Sequence, residues 1–259
     1  MSDEKIGIVI PVYNEIRRMN YSYLNEISLI EDVYLLFVDD GSSDATVTTL
    51  KEWFHGYGNV GILGLPKNVG KANAIRFGWL KLLETNDNSV LGFLDVDGAF
   101  EISDIKRCIS RSEELFVSQE TSLTHTSVFD TLWTSRIQLS GRNIIRSRKR
   151  FLLGRTLAKI LGLLFDGLPW DTQSGMKFFQ RNQSFIHVTS SSFRNRWLFE
   201  IEMHLRLKEL NRIGLRIWEE PLDRWEDIGG SKVNFREQMR IIKEVADLFY
   251  RFRIKKGNG

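Results

Sequence analysis

Two carboxylates, Asp95 and Asp97, close the run GFLDVDG between Gly92 and Gly98. In an extended segment residues two apart point the same way. Both can then face one divalent ion or one polyol, and a hard cation such as Mg²⁺ takes few protein carboxylates and fills its shell with phosphate and water. For an isolated D-x-D a solvated strand-to-loop turn is the better explanation. Two other apolar runs also end in polar groups, Tyr13-Asn14-Glu15 and Asp39-Asp40-Gly41-Ser42-Ser43-Asp44. Lys71 follows Gly70 where a helix should start, so its ammonium joins free backbone N–H groups that favour anions; a solvated turn lysine is the plainer alternative. Residues 131–160 carry eight basic side chains and no acidic one, leaving the remainder of a +3 chain at −5. Such a block suits phosphate, an anionic membrane surface or nucleic acid, or it is a solvated helix face. No aromatic platform motif accompanies it, so nucleic acid is not expected.

The elements that must position these groups alternate over the first hundred residues. Strand patterns at 6–12, 33–39, 60–65 and 90–96 are separated by helical ones near 15–30, 44–55 and 69–84. Near-continuous apolar strands between helices predict a mostly parallel sheet covered on both faces, with ligands at the carboxyl ends of its strands. All three polar strand ends should therefore line one crevice. Beyond residue 100 the pattern predicts a helix at 101–116, a strand near 127–134 and a helix at 151–165. A loop at 169–175 precedes a strand at 176–180, a helix around 197–210, a strand at 213–222, a glycine turn at Gly229-Gly230 and a closing helix at 234–252. Glu200 and Glu202, two apart on a helix, do not face the same side; Glu202 has Arg206 as an i+4 partner.

The 259 residues make one α/β domain over 1–252, with halves at 1–100 and 101–252 and a tail at 253–259 whose GNG ending reads as unstructured. No apolar run reaches the roughly 18–20 residues of a membrane span, and no signal-peptide pattern opens the chain, so a cytoplasmic location is expected. The single cysteine, Cys108, excludes an intramolecular disulfide and reads as a small buried hydrophobe; the four histidines show no ligand spacing. FLLGRTLAKILGLLF (151–165) has cations flanking an apolar run, which suits a membrane interface. The basic amphipathic stretch 235–256 is better explained by helix burial or homodimer packing.

PVYNE, VDDGSSD, KNVGKANAIRFG and DVDG, in this order, resemble the family 2 inverting glycosyltransferases with their GT-A nucleotide-sugar fold. WDTQSGMKFF, RWLFEIEM and EEPLDRWEDIGGSKV are similar to the dolichyl-phosphate β-glucosyltransferase branch, near the dolichyl-phosphate mannosyltransferases. The resemblance spans about residues 5–252. It departs where many members read DADG and this chain DVDG, which keeps both carboxylates, and in an N-terminal anchor usual in eukaryotic members.

The resemblance implies transfer of a hexose, glucose from UDP-glucose foremost, with a UDP- or GDP-sugar donor. Mg²⁺ or Mn²⁺ would be held by Asp95, Asp97 and Glu200. Pro11, Tyr13, Glu15, Asp40, Lys71, Asp95 and Val96 would form the donor pocket, with Tyr13 on the base and Asp40 accepting from a base N–H. Arg136 would clamp the diphosphate, which a planar guanidinium binds bidentately, and so act with Asp97 and Glu200 in catalysis. The basic block beside the DTQSG loop adds that the acceptor is anionic: a polyprenyl phosphate would meet Asp171, Gln173 and Ser174, with Arg148, Arg150 and Arg155 on its phosphate and the chain peripheral at the inner face of the plasma membrane. A soluble enzyme using a hydroxyl or other glycan acceptor, and a non-catalytic nucleotide-sugar sensor, are the alternatives.

Overall fold

Among the residues that the structure describes, nine strands form two sheets. The structure, a computed structural model, describes residues 5–85, 87–116, 130–211, 215–226 and 235–255, and of 149, 150, 235 and 236 the backbone only. The strands are β1 (Ile6–Val12), β2 (Val33–Asp39), β3 (Val60–Gly64), β4 (Val90–Leu94), β5 (Thr131–Ser135), β6 (Asn143–Ile145), β7 (Met176–Gln180), β8 (Ile217–Pro221) and β9 (Arg224–Glu226). The larger sheet runs β3-β2-β1-β4-β7-β5-β8, and β6 pairs with β9 in the smaller one. In the larger sheet β7 alone is antiparallel, to β4 on one side and β5 on the other. The sheet is mostly parallel, and its first half delivers the ends of β1, β2 and β4 to one edge.

Alternation decides which side chain serves which layer. Along β1, Ile6, Ile8 and Ile10 pack into a core with α1 (Tyr21–Ser28), α2 (Thr46–Trp53) and α4 (Ile102–Phe116), while Val9 faces the opposite core. That second core holds α3 (Lys71–Thr85), joined by α6 (Gln183–Ser190) and α7 (Phe199–Leu210). Helix α3 lies so close to the sheet that a Cβ on Gly78 would stand 2.6 Å from Val9 Cγ1. The neighbouring Trp79 is fully buried and donates its indole N–H to Gly92 O at 2.9 Å, so its one polar atom is satisfied. A third cluster joins α7 to α5 (Arg148–Leu164) and α8 (Phe235–Phe249), which runs on into a π-helical turn at Tyr250–Ile254. Leu248 is buried and Ile241 and Val245 pack against the cluster, so part of the closing stripe is accounted for by helix burial. No helix among the described residues is long and apolar enough to cross a membrane.

Several expectations need correction. Strand β4 stops at Leu94, so Asp95 and Asp97 stand in the turn beyond it and share a side through the turn rather than through strand alternation. The first helix begins at Tyr21, because residues 13–18 form turns in which Asn14 takes a left-handed conformation (φ 53°). The strand expected near 127–134 is described over Thr131–Ser135, and that at 213–222 over Ile217–Pro221. Helix α5 starts at Arg148, inside the basic block. Helix α6 and strands β6 and β9 were not foreseen. Gly229-Gly230 and the GNG ending lie outside the described residues.

The small sheet hangs on one buried carboxylate. Asp104, wholly buried in the first turn of α4, accepts from the backbone N–H of Asp223 at 3.0 Å and of Arg224 at 3.1 Å, and pairs with Arg107. This fixes β9, and with it Trp225. Removing one side of a buried ionic network leaves the other uncompensated, so Asp104→Ala should cost about 3 kcal/mol in urea denaturation, whereas Glu101→Ala, at a half-exposed ion pair with Arg224, should cost under about 1 kcal/mol.

Candidate functional site

The carboxyl ends of β1, β2 and β4 open on a cleft of about 590 Å³. Its walls include Pro11, Tyr13, Glu15, Asp40, Lys71, Asp95, Val96 and Asp97, so every residue expected at the donor pocket stands here. Two tight loops build it. Asn14 Oδ1 accepts from Ser43 N at 2.9 Å and Asn14 N donates to Ser42 Oγ at 2.9 Å, which ties the loop after β1 to that after β2. Gly41 has a φ of 75° and lies against the backbone of Lys67 and Asn68, 2.9 Å from where its Cβ would be. A side chain there would be strained and would clash. Asp40 accepts from Val69 N at 2.6 Å and Gly70 N at 2.8 Å, holding the entrance to α3. Burial raises its pKa against those two bonds.

The electrostatics of the cleft follow from crowding carboxylates. Lys71 Nζ meets Asp95 Oδ1 at 2.6 Å; Arg18 reaches Glu15 at 3.0 Å and Asp97 at 3.9 Å. Burial, then repulsion from Asp95, raises the pKa of Asp97; burial is also the first cause for Glu15. Burial disfavours the Lys71 ammonium, but Asp95 and then Glu200 more than offset it and its pKa rises. Asp95 is confined from below. A Cβ on Gly175 would lie 2.2 Å from Asp95 Oδ2, and Asp95 N donates to Gly175 O at 2.9 Å.

Three expected site residues do not line the cleft. Glu200 stands behind it, close enough to act electrostatically on Lys71 and Asp95, with its Oε2 buried and, among the described residues, without a hydrogen-bond partner. Its Oε1 faces the fully buried Lys177 ammonium at 3.8 Å, and among the described residues no group of three or more His, Cys, Asp or Glu could hold a metal ion. Burial raises Glu200's pKa and lowers that of Lys177 to about 8. Lys177 also donates to Ser174 O and lies 4.7 Å from the centre of the Trp133 ring. Arg136 is outside the cleft, its fork closed on Asp171 at 2.7 and 2.8 Å and its guanidinium 5.0 Å from the Trp225 ring centre. Ser174 is buried against Thr134 Oγ1, beyond reach of an incoming group. Glu202 is buried too, binding Arg206 and Arg251 with one oxygen and three N–H groups of Arg194 and Asn195 with the other.

The basic block makes a second cavity, about 270 Å³, between α5 and the 170–173 loop. Arg136, Arg146, Arg155, Trp170, Asp171 and Gln173 line it, and Arg148 lines a 120 Å³ recess beside it. Arg155 lies 3.5 Å from the Trp170 ring centre and donates to Trp170 O at 2.9 Å. Arg150 belongs to α5, but its side chain lies outside the described residues. The residues not anticipated are Arg18, Asn68, Arg196 and Trp197 in the cleft, and Arg146, Phe151 and Trp170 in the second cavity. Arg196, Trp197 and Trp170 lie inside motifs already singled out, so a signal was present; Arg18 carries none.

The family model described as Glycosyl transferase family 2 matches residues 7–161. The dolichyl-phosphate β-glucosyltransferase of Saccharomyces cerevisiae is 29% identical over 248 residues, covering 89% of this chain and 70% of the relative. One from Trichomonas vaginalis is 27% identical over 250 residues, 93% and 71%. The fold is shared with glucosyl-3-phosphoglycerate synthase from Mycobacterium tuberculosis, solved with Mn²⁺, UDP and glucosyl-3-phosphoglycerate (TM-score 0.65, 17% identity, 96% of this chain and 80% of that one).

The Arg136–Asp171 pair sets an acid dependence. Burial alone would raise the Asp171 pKa; Arg136 overrides it and holds the carboxyl well below the usual carboxylate range. The stability it contributes is complete above the unfolded pKa of about 4 and is lost as the pH falls below that. Asp171→Asn should unfold about 3 kcal/mol more easily than the parent at pH 7. In urea melts the gap should narrow progressively below about pH 4.

Proposed function

The chain belongs to glycosyl transferase family 2, and from that premise we propose that it moves a hexose, glucose foremost, from a UDP- or GDP-sugar to a polyprenyl phosphate. The observation that carries this reading is the loop 170–175. It lines the arginine-rich cavity at Trp170–Gln173 and ends in Gly175, pressed against Asp95 in the cleft. A donor in the cleft and an anion among the arginines would thus meet across one short loop.

In this reading Tyr13 packs against the base, Asp40 takes its N–H, and the diphosphate lies towards Lys71, Asp95 and Asp97. The donor set fits a divalent cation: two carboxylates line the same cleft, and burial together with repulsion from Asp95 raises the pKa of Asp97 despite the Ala99 amide, Arg18 and Lys71. Asp95 and Asp97 would hold Mg²⁺ or Mn²⁺, and the ion would supply positive charge to the leaving diphosphate. Lys71 adds a second positive charge on that side. An acceptor phosphate carries about −1.5 to −2 charge near pH 7, so it attacks the anomeric carbon without a base. Its oxygen forms the new bond as the bond to the β-phosphate oxygen breaks, with inversion, and the nucleoside diphosphate leaves. Arg155, Arg146 and Gln173 would position that phosphate. Arg136 would act through Asp171 by fixing the loop rather than by touching the donor.

The outer side of α5 fits a lipid acceptor. Leu152 (64% exposed), Leu153 and Leu163 (77% exposed) project from the helix that carries Arg148 and Arg155, the arrangement of an interfacial helix. On this ground we infer a peripheral contact with an anionic lipid surface.

The deciding assay incubates UDP-glucose or GDP-mannose with Mg²⁺ or Mn²⁺, with and without a polyprenyl phosphate. Sugar–lipid product is expected only with the lipid; turnover with a small phosphorylated hydroxy acid instead would overturn the lipid half. Asp97→Ala should lower turnover at least about 100-fold. Arg155→Ala should raise the acceptor KM about tenfold, as expected for one charge-assisted contact, and leave the donor KM unchanged. Flotation with anionic vesicles should retain the parent and lose the Leu152→Ser, Leu153→Ser double variant.

A further inference from the structure

The cleft contains a guanidinium that the reaction scheme above does not use. Arg196 enters from the loop preceding α7 and lies flat on Gly70: a Cβ there would be 2.5 Å from Arg196 Nε. Its Nη2 donates to Asn68 Oδ1 at 2.9 Å, and its charge reaches Asp40. This end of the cleft therefore sets an acceptor-only carboxylate beside a donor-only fork. Resting on the reading of the cleft as a nucleotide site, we propose that Arg196 is a base-specificity residue that, paired with Asp40, selects nucleobases presenting an N–H next to a carbonyl. Uracil and guanine have that edge: the N–H faces Asp40 and the carbonyl faces Arg196. Cytosine and adenine present a ring nitrogen acceptor beside an exocyclic amine, so both contacts become mismatched.

The position of Arg196 is imposed from a distant helix. The first residues of α7 have no capping side chain of their own; Leu198 stands at its N-cap position without one. Glu244 of α8, nearly buried, supplies the cap. Its Oε1 accepts from Arg196 N at 3.0 Å, and its Oε2 from Trp197 N at 3.0 Å and Leu198 N at 2.9 Å. Glu237 of the same helix accepts from the Trp197 indole. Three consecutive amides on one carboxylate fix the backbone from which Arg196 extends. Glu244 is thus a positioning residue for base selection, although it lines no part of the cleft.

Calorimetric titration of the full chain with UDP, GDP, CDP and ADP in Mg²⁺ tests this. The parent should bind UDP or GDP about tenfold to a hundredfold more tightly than CDP and ADP, the range of a two-contact base readout. Arg196→Ala, at an exposed side chain, should keep its melting temperature and lower the ratio about threefold to tenfold, the share of one of the two contacts. Glu244→Ala should lose the same share, a change that lowered stability alone does not produce. Should that variant not fold, Arg196→Ala and Arg196→Lys still decide the matter, since a lysine cannot restore the planar fork. Equal selectivity in the parent and Arg196→Ala, or no selectivity in the parent, overturns the inference. Absence of any nucleoside diphosphate binding by the parent would instead remove the nucleotide reading of the cleft itself.

Discussion

At the end of β4 the chain leaves the sheet carrying two carboxylates, and the space beneath the first is filled by a glycine. Asp95 donates its N–H to Gly175 O, its carboxylate lies where any Cβ on Gly175 would be, and its Oδ1 is held by Lys71. This is where the parallel half of the sheet meets antiparallel β7. The backbone bond continues the β4–β7 pairing by one residue, so the sheet register fixes where the charge points. The 170–175 loop cannot shift without moving Asp95, and Asp95 cannot shift without disturbing the entrance to α3. Cleft and arginine cavity are coupled through ordinary packing, not through a separate hinge.

Placing four carboxylates, Glu15, Asp40, Asp95 and Asp97, around one cleft has a cost that the fold distributes. Each is answered differently. Backbone amides answer Asp40, Arg18 answers Glu15 and Lys71 answers Asp95, while Asp97 accepts from Ala99 N at 3.2 Å and has Arg18 at 3.9 Å. Burial and the repulsion from Asp95 still raise its pKa. Behind this wall Lys177 and Glu200 form a buried pair, with Lys177 set against the Trp133 and Phe93 rings. Such a pair contributes little net stability, yet it is expensive to break. Its position under Ser174 and beside Lys71 makes it a rigid floor for the loop and the cleft together.

Much of this was legible because the relevant code is local. Strand runs, the glycines that follow them and the polar residues at their ends are set by periodicity and turn chemistry. So the parallel half, Asp40, Lys71 and the D-x-D turn were read from adjacent residues. What was missed depends on partners far apart in sequence. Arg136 looked like a free phosphate clamp until Asp171, 35 residues on, took both arms of its fork. Only the resemblance assigns Glu200 to the metal, and nothing local shows that Lys177 lies buried beside it. Helix α6 is eight residues with an Asn182 cap and no long apolar repeat, too short for periodicity to declare. Strands β6 and β9 have three residues each, and β9 starts where Asp104, far away in sequence, accepts from the Asp223 and Arg224 amides.

The basic block shows why composition alone misjudges a site. Eight cations without a counter-charge suggested an open docking face for anions, yet the described members are largely committed. Arg136 is neutralised by Asp171, Arg155 is laid on Trp170, and Arg146 stands near the rings of Phe151 and Trp225. Arg155 and Arg146 lie within cation–π reach of these rings, which restrict them. An arginine restrained in this way loses little further side-chain freedom when it meets an anion, because packing has already restricted it. In the proposed reading the aromatic residues of this region would therefore turn a diffuse positive charge into a few restrained donors, next to the loop that ends on Asp95.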